Sequence, residues 1–162
     1  MTLRLIEEAV EMGFGDRITV VDMAPAVAVV KGIRVGGKLL EVSERFRGVR
    51  YLAPKRVETP RLRAESAKEL LRLVDLNEKR IKPLLKRYIE NPTPILFVND
   101  ISIYLQSGID EPVLSAVMKA ETFIANGYYG ETLESDFETG VSNTERGLMK
   151  KIGDKMDAVI RL

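Results

Sequence analysis

The chain contains no cysteine, no histidine and no tryptophan. Without cysteine there are no disulfides, no thiolate nucleophile and no thiolate metal site. Without histidine there is no imidazole ligand, and every triad built on a His base is excluded. Chemistry falls to carboxylates, lysines, hydroxyls and backbone amides. An excess of one charge is missing too: 25 Lys and Arg face 24 Asp and Glu, a net +1 at pH 7, so no strong global field draws in nucleic acid or an anionic membrane. No apolar run reaches the length of a membrane span. Residues 1–13 carry Glu7, Glu8 and Glu11, which suit an amphipathic helix and not the apolar core of a signal peptide. These absences point to the cytoplasm. A chain that is 30% charged and lacks Cys and Trp also fits the surface of a thermophile's protein.

With 162 residues, 45% of them hydrophobic, the chain has the length and apolar content for one sizeable core, and a single domain over 1–162 is expected. Leu3, Ile6, Ala9, Val10 and Met12 fall near one helical face, stopped by Gly13-Phe14-Gly15-Asp16. A β-branched run over 18–21 ends in Asp22, and Met23-Ala24-Pro25 turns the chain out of the sheet. Residues 26–42 are apolar and β-rich around Gly36-Gly37, predicting a hairpin with a glycine turn at a sheet edge. A short strand over 49–52 is followed by a basic connection holding Lys55, Arg56, Arg61 and Arg63.

Helical spacing then runs from 64 to 89 through Ala67, Leu70, Leu71, Val74, Ile81, Leu84, Leu85 and Tyr88, with Pro83 predicting a kink or a division into two helices. Beyond the loop Asn91-Pro92-Thr93-Pro94, the unbroken apolar run 95–98 reads as a strand buried on both faces and ends in Asn99-Asp100. A short helix near Ser102, a second over 111–119, a strand over 122–125 ending in Asn126-Gly127, a polar loop over 131–142, a helix over 143–156 and a last strand over 158–162 complete the chain. Strands that alternate with helices and are continuously apolar pair in parallel. The expected fold class is α/β: a three-layer, mainly parallel sheet with helices on both faces, Rossmann-like, with an edge β-hairpin.

Asp22, Asn99-Asp100 and Asn126 each stand at the end of a strand, and open parallel sheets place ligands at that edge. Each has a plainer reading beside it. Asp22 would cap its turn by bonding local amides, Asn99 and Asp100 would cap the helix near Ser102, and Tyr128 and Tyr129 would cover core. Gly32-Ile33-Arg34-Val35-Gly36-Gly37-Lys38 matches part of a phosphate-binding loop but continues with Leu39, where the magnesium-binding hydroxyl belongs. It reads as a hairpin turn.

The helix over 3–13, Val20-Val21-Asp22, Phe97-Val98-Asn99-Asp100 and Ile124-Ala125-Asn126-Gly127 together resemble the P-loop NTPase superfamily, especially its dimer-forming ATPase and GTPase branch. The resemblance implies a nucleotide-binding domain in which Asp22 and Asp100 are catalytic and metal-holding carboxylates for Mg2+ and ATP or GTP. It implies Asn126, Gly127 and Tyr128 as base contacts, with Asn99 and Lys38 as further nucleotide-binding residues. The Asn-Lys-x-Asp base motif is broken, because Gly127 and Tyr129 replace its Lys and Asp. In that superfamily a central strand and the phosphate loop precede the first helix, whereas this chain begins at Met1-Thr2-Leu3 within the corresponding helix. Removing that strand would leave unpaired backbone on its neighbours unless they close up or a partner fills the gap. Weak or absent activity is expected.

A non-enzymatic, homodimeric interaction or scaffold protein is the rival reading, motivated by the apolar run over 24–30. RNA binding through Arg45, Arg47, Arg50, Lys55, Arg56, Arg61 and Arg63 has less support, since no aromatics interleave those charges.

Overall fold

The computed structural model describes residues 1–30, 33–41, 43, 45–130 and 136–161. Its centre is a four-stranded, all-parallel sheet in the order β4-β1-β5-β6. The strands are β1 (Ile18–Asp22), β4 (Arg50–Leu52), β5 (Ile95–Asn99) and β6 (Thr122–Ala125). Between β1 and β4 in sequence, β2 (Ala28–Val30) and β3 (Ile33–Val35) form a separate antiparallel pair. The helices are α1 (Thr2–Glu11), α2 (Pro60–Arg63), α3 (Ala67–Glu90), α4 (Ser102–Leu105), α5 (Glu111–Lys119) and α6 (Val141–Gly153).

Alternation along the strands divides the core into layers. Val21, Leu96 and Val98 point to one face, where they meet Ile81, Leu85 and Tyr88 of α3, Tyr104 of α4, Val113 of α5 and Ile152 of α6. Ile18, Val20 and Phe97 point to the other, against Ile6 of α1 with Leu39 and Phe46. Every residue of β1 is buried, which explains a strand without polar alternation. The architecture is therefore α/β with helices on both faces of a parallel sheet, consistent with a Rossmann-like fold.

β1 pairs directly with β5 over five positions, from Ile18 opposite Ile95 to Asp22 opposite Asn99.

Several expectations need correction. Val30 pairs with Ile33, so Gly36 and Gly37 lie beyond the paired strands and not in the hairpin turn, and Leu39–Glu41 is a 3-10 turn. Gly32, Val42 and residues 131–135 lie outside the described residues. α3 runs unbroken through Pro83; the proline is exposed, so the carbonyl it strands can turn to water. Its start is fixed by Ser66, whose hydroxyl accepts from Glu69 N at 3.2 Å, while the Glu69 carboxylate accepts from Glu65 N at 3.0 Å. The basic connection holds a helical turn, α2, with Pro60 in its first turn. Residues 158–161 join no sheet, and Val159 and Ile160 are exposed; Leu162 lies outside the described residues.

No described helix is long and apolar enough to cross a membrane.

Candidate functional site

The polar strand ends meet. Asp22 and Asn99 face each other across the β1–β5 register, and Asn99 Nδ2 donates to Asp22 Oδ1 at 2.9 Å. Asn126, just past β6, donates from Nδ2 to Asn99 Oδ1 at 3.1 Å and to Thr2 Oγ1 of α1 at 3.0 Å. Its Oδ1 accepts from the Asp100 backbone N–H at 2.6 Å. One chain of side-chain hydrogen bonds thus crosses the carboxyl rim of the sheet.

Within this chain Asp22 is fully enclosed. Oδ1 accepts from Ala24 N at 3.1 Å and from Asn99; Oδ2 accepts from Leu39 N at 2.7 Å and from the Tyr51 hydroxyl. Burial first, then the hydrogen bond to Asp22 and its charge, push the Tyr51 phenol far above its ordinary pKa and keep it a donor. Four donors occupy the lone-pair positions of one carboxylate. The local-turn bond to Ala24 is present, but the larger role of Asp22 is to tie β4, β5 and the 3-10 turn to the end of β1.

Asp100 is placed differently. It takes φ 59, a left-handed conformation uncommon outside glycine that concentrates at functional sites. It does not cap α4, which has no side-chain cap; instead its Oδ1 accepts from Ser102 Oγ at 2.8 Å. Desolvation of the carboxyl, opposed by the Ser102 hydrogen bond, pushes its pKa up to about 6. Asp100 lines a cleft of about 190 Å³ together with Thr59, Arg61, Ser102, Gln106 and Tyr128.

Thr59 and Gln106 carry no sequence signal, and Arg61 enters the sequence reading only as one charge of the basic connection. Arg61 is nearly buried, with Nη2 3.0 Å from both carboxylate oxygens of Glu145 on α6, and its guanidinium lies 5.1 Å from the Tyr128 ring centroid. Burial pushes the Glu145 pKa up against the pull of Arg61 and of a hydrogen bond from Gln106. Gln106 Oε1 and Thr59 Oγ1 are enclosed and have no hydrogen-bond partner among the described residues. Both belong to cleft-lining residues, but the two atoms are themselves enclosed and the surface that the cleft exposes is mainly apolar. Tyr128 is held by its backbone N–H donating to Ser102 Oγ at 3.1 Å. Gly127 permits the close approach: a Cβ there would stand 3.0 Å from Ile101 Cγ2 and 3.1 Å from Ser102 N.

Lys38 points elsewhere, with Nζ donating to Pro54 O at 2.6 Å. A magnesium ion fits the proposed pair poorly. Asp22 has no oxygen to offer, the Asp100 carboxyl is desolvated, and no group of three or more acidic residues suited to a metal occurs among the described residues. The cleft offers a mainly apolar surface with Tyr128 as an aromatic wall and Asp100, Ser102 and Arg61 among its polar lining residues. The chain matches no known family model, no curated protein and no solved structure.

Proposed function

We propose that this chain is a cytoplasmic nucleotide-binding domain of P-loop-NTPase-like ancestry that recognises the base end of its ligand at the carboxyl rim of the sheet. The observation that carries the proposal is the cleft beside Asp100, mainly apolar, lined by Tyr128, Asp100, Ser102 and Arg61, at the edge parallel sheets use for ligands. Its volume, about 190 Å³, is below the ~300 Å³ at which pockets for whole drug-sized ligands begin. That size suits a heterocycle whose sugar and phosphates project outward. Asp100 accepts from the amino and ring N–H groups of the base, and Tyr128, backed by Arg61, stacks on it.

Phosphoryl transfer by the chain alone is weak or absent in this reading. The stabilisation of developing charge that drives such reactions comes from a phosphate cradle and a metal, and neither Lys38 nor Asp22 is positioned to supply it. Calorimetry with adenosine, guanosine, ATP and GTP tests the proposal. Saturable binding of at least one nucleoside, weakened about tenfold by Tyr128→Ala, is the expected result. Flat traces for all four at millimolar concentration would overturn it.

A homodimeric scaffold is the second reading, favoured by Val29, which is 72% exposed on the isolated β2–β3 pair. Light scattering after size exclusion separates the two: the scaffold predicts a dimer that Val29→Lys dissociates, with no nucleoside binding.

A further inference from the structure

Glu58, in the segment joining β4 to α2, is buried, and three arginines converge on its carboxylate. Arg56 Nε and Arg80 Nη1 stand 2.7 and 3.0 Å from Oε1, while Arg63 Nη1 and Arg56 Nη2 stand 3.2 and 3.3 Å from Oε2. Asn77 of α3 locks the backbone below, accepting from Glu58 N at 2.8 Å and donating to Glu58 O at 3.0 Å. Burial pushes the Glu58 pKa up, but the hydrogen bond from Arg80 and the charge of Arg56 outweigh it and hold the group ionised, below its ordinary value.

One negative charge faces three positive ones, and the carboxylate has no acceptor positions left. Most N–H groups of the three guanidiniums lie outside these bonds. They border a cleft of about 430 Å³ that is lined also by Glu65 and, from α3, by Glu69 and Arg72. Among the described residues Arg72 has a loose ion pair, 3.9 Å to Glu69, whose other oxygen already caps Glu65 N. The cleft therefore combines a fixed buried anchor, guanidiniums held in place by it, and a lining of four arginines against the three carboxylates of Glu58, Glu65 and Glu69, which leaves one positive charge in excess.

We propose that this cleft is a binding site for a small phosphate-bearing anion, with Arg56, Arg63, Arg72 and Arg80 as its donors and Glu58 as the residue that positions them. Planar guanidiniums suit phosphate oxygens through paired N–H bonds. Glu58 keeps the cluster folded when the anion is absent, because like charges brought together without a counter-charge would repel. The inference stands apart from the base site: adenosine carries no phosphate and reads that site alone.

The test is calorimetry of the full chain with pyrophosphate and inorganic phosphate at low ionic strength, where screening is weak. Wild-type protein binds pyrophosphate saturably, and Arg63→Gln and Arg72→Gln each weaken it about tenfold, the loss expected for one charge-assisted bond. Glu58→Gln releases the guanidiniums from the residue that positions them, so pyrophosphate raises its melting temperature less than it raises that of wild type. Should Glu58→Gln fail to fold, the two exposed arginines decide the matter. Absence of binding at millimolar pyrophosphate, or unchanged affinity in both arginine variants, would overturn the proposal.

Discussion

Asn99 donates its side-chain amide to Asp22 at 2.9 Å, at the register position where β1 and β5 both end. The bond is one of four that converge on the same carboxylate, and the other donors come from Ala24, Leu39 and Tyr51. Asp22→Ala strands all of them in a buried setting, where each unsatisfied group costs about 1 to 3 kcal/mol. The expected loss is at least about 3 kcal/mol in urea unfolding. A loss below about 1 kcal/mol would show that the rim does not depend on this carboxylate.

Asp100 sets a pH dependence of opposite sign to that of most carboxylates. Its pKa rises from 3.8 to about 6 on folding, so the folded state holds the proton more tightly than the unfolded chain. Its contribution to stability is fully present below about pH 4 and declines as pH rises toward 6. Asp100→Asn keeps a residue that tolerates the left-handed backbone. At pH 7 this variant is expected to be more stable by roughly 2 kcal/mol. Chemical unfolding between pH 4 and 7.5 checks both the slope and its disappearance.

Arg61 and Glu145 form a nearly buried ion pair, with side-chain exposures of 7% and 2%. Removing one partner leaves the other charge uncompensated. Glu145→Gln is expected to cost about 3 kcal/mol. The double replacement Arg61→Met with Glu145→Leu recovers most of that stability while weakening nucleoside binding by no more than Tyr128→Ala does, because Arg61 no longer backs Tyr128. Thermal unfolding and calorimetry on the same samples separate the two effects.

Gly36 has φ +79, and a Cβ there would lie 2.5 Å from both Pro25 O and Ala26 O. Backbone cannot move aside as a side chain can, so Gly36→Ala is expected to cost several kcal/mol, well above the ~1 kcal/mol of an unobstructed left-handed site. Gly13 supplies the control: its φ is +87, and a Cβ added there would meet nothing within 4 Å. Melting curves of the two alanine variants should differ clearly in midpoint.

The parallel sheet is legible in the sequence because its strands are short apolar runs bounded by turn residues: β6 and α5 have the predicted limits, and β1 and β5 extend one residue further, through Asp22 and Asn99. The meeting of the strand tips follows from parallel direction alone. The hairpin is misplaced by sequence reasoning because Gly36 and Gly37 look like turn residues, whereas Gly36 is needed for a tight passage against Pro25 and Ala26. The run over 158–162 has the composition of a strand, but composition says nothing about whether a neighbour is within reach. Gln106 and Glu145 are silent for the same reason, and Arg61 reads only as one charge of a basic connection. Arg61 and Glu145 are 84 positions apart, and no local period announces such a pairing. Asp22 reads as a ligand-facing acid because an acid at a strand end looks the same whether it faces solvent or, as here, four internal donors.

Each amide in the rim has a single permitted orientation: Asn99 gives its N–H to Asp22 and receives at its oxygen, while Asn126 gives to Asn99 and Thr2 and receives the Asp100 peptide. Polarity therefore runs one way along the series, and turning any one amide over would set donor against donor at the next link. One side chain, Asn126, therefore joins the Asp100 peptide to the first turn of α1, although the two lie far apart in sequence.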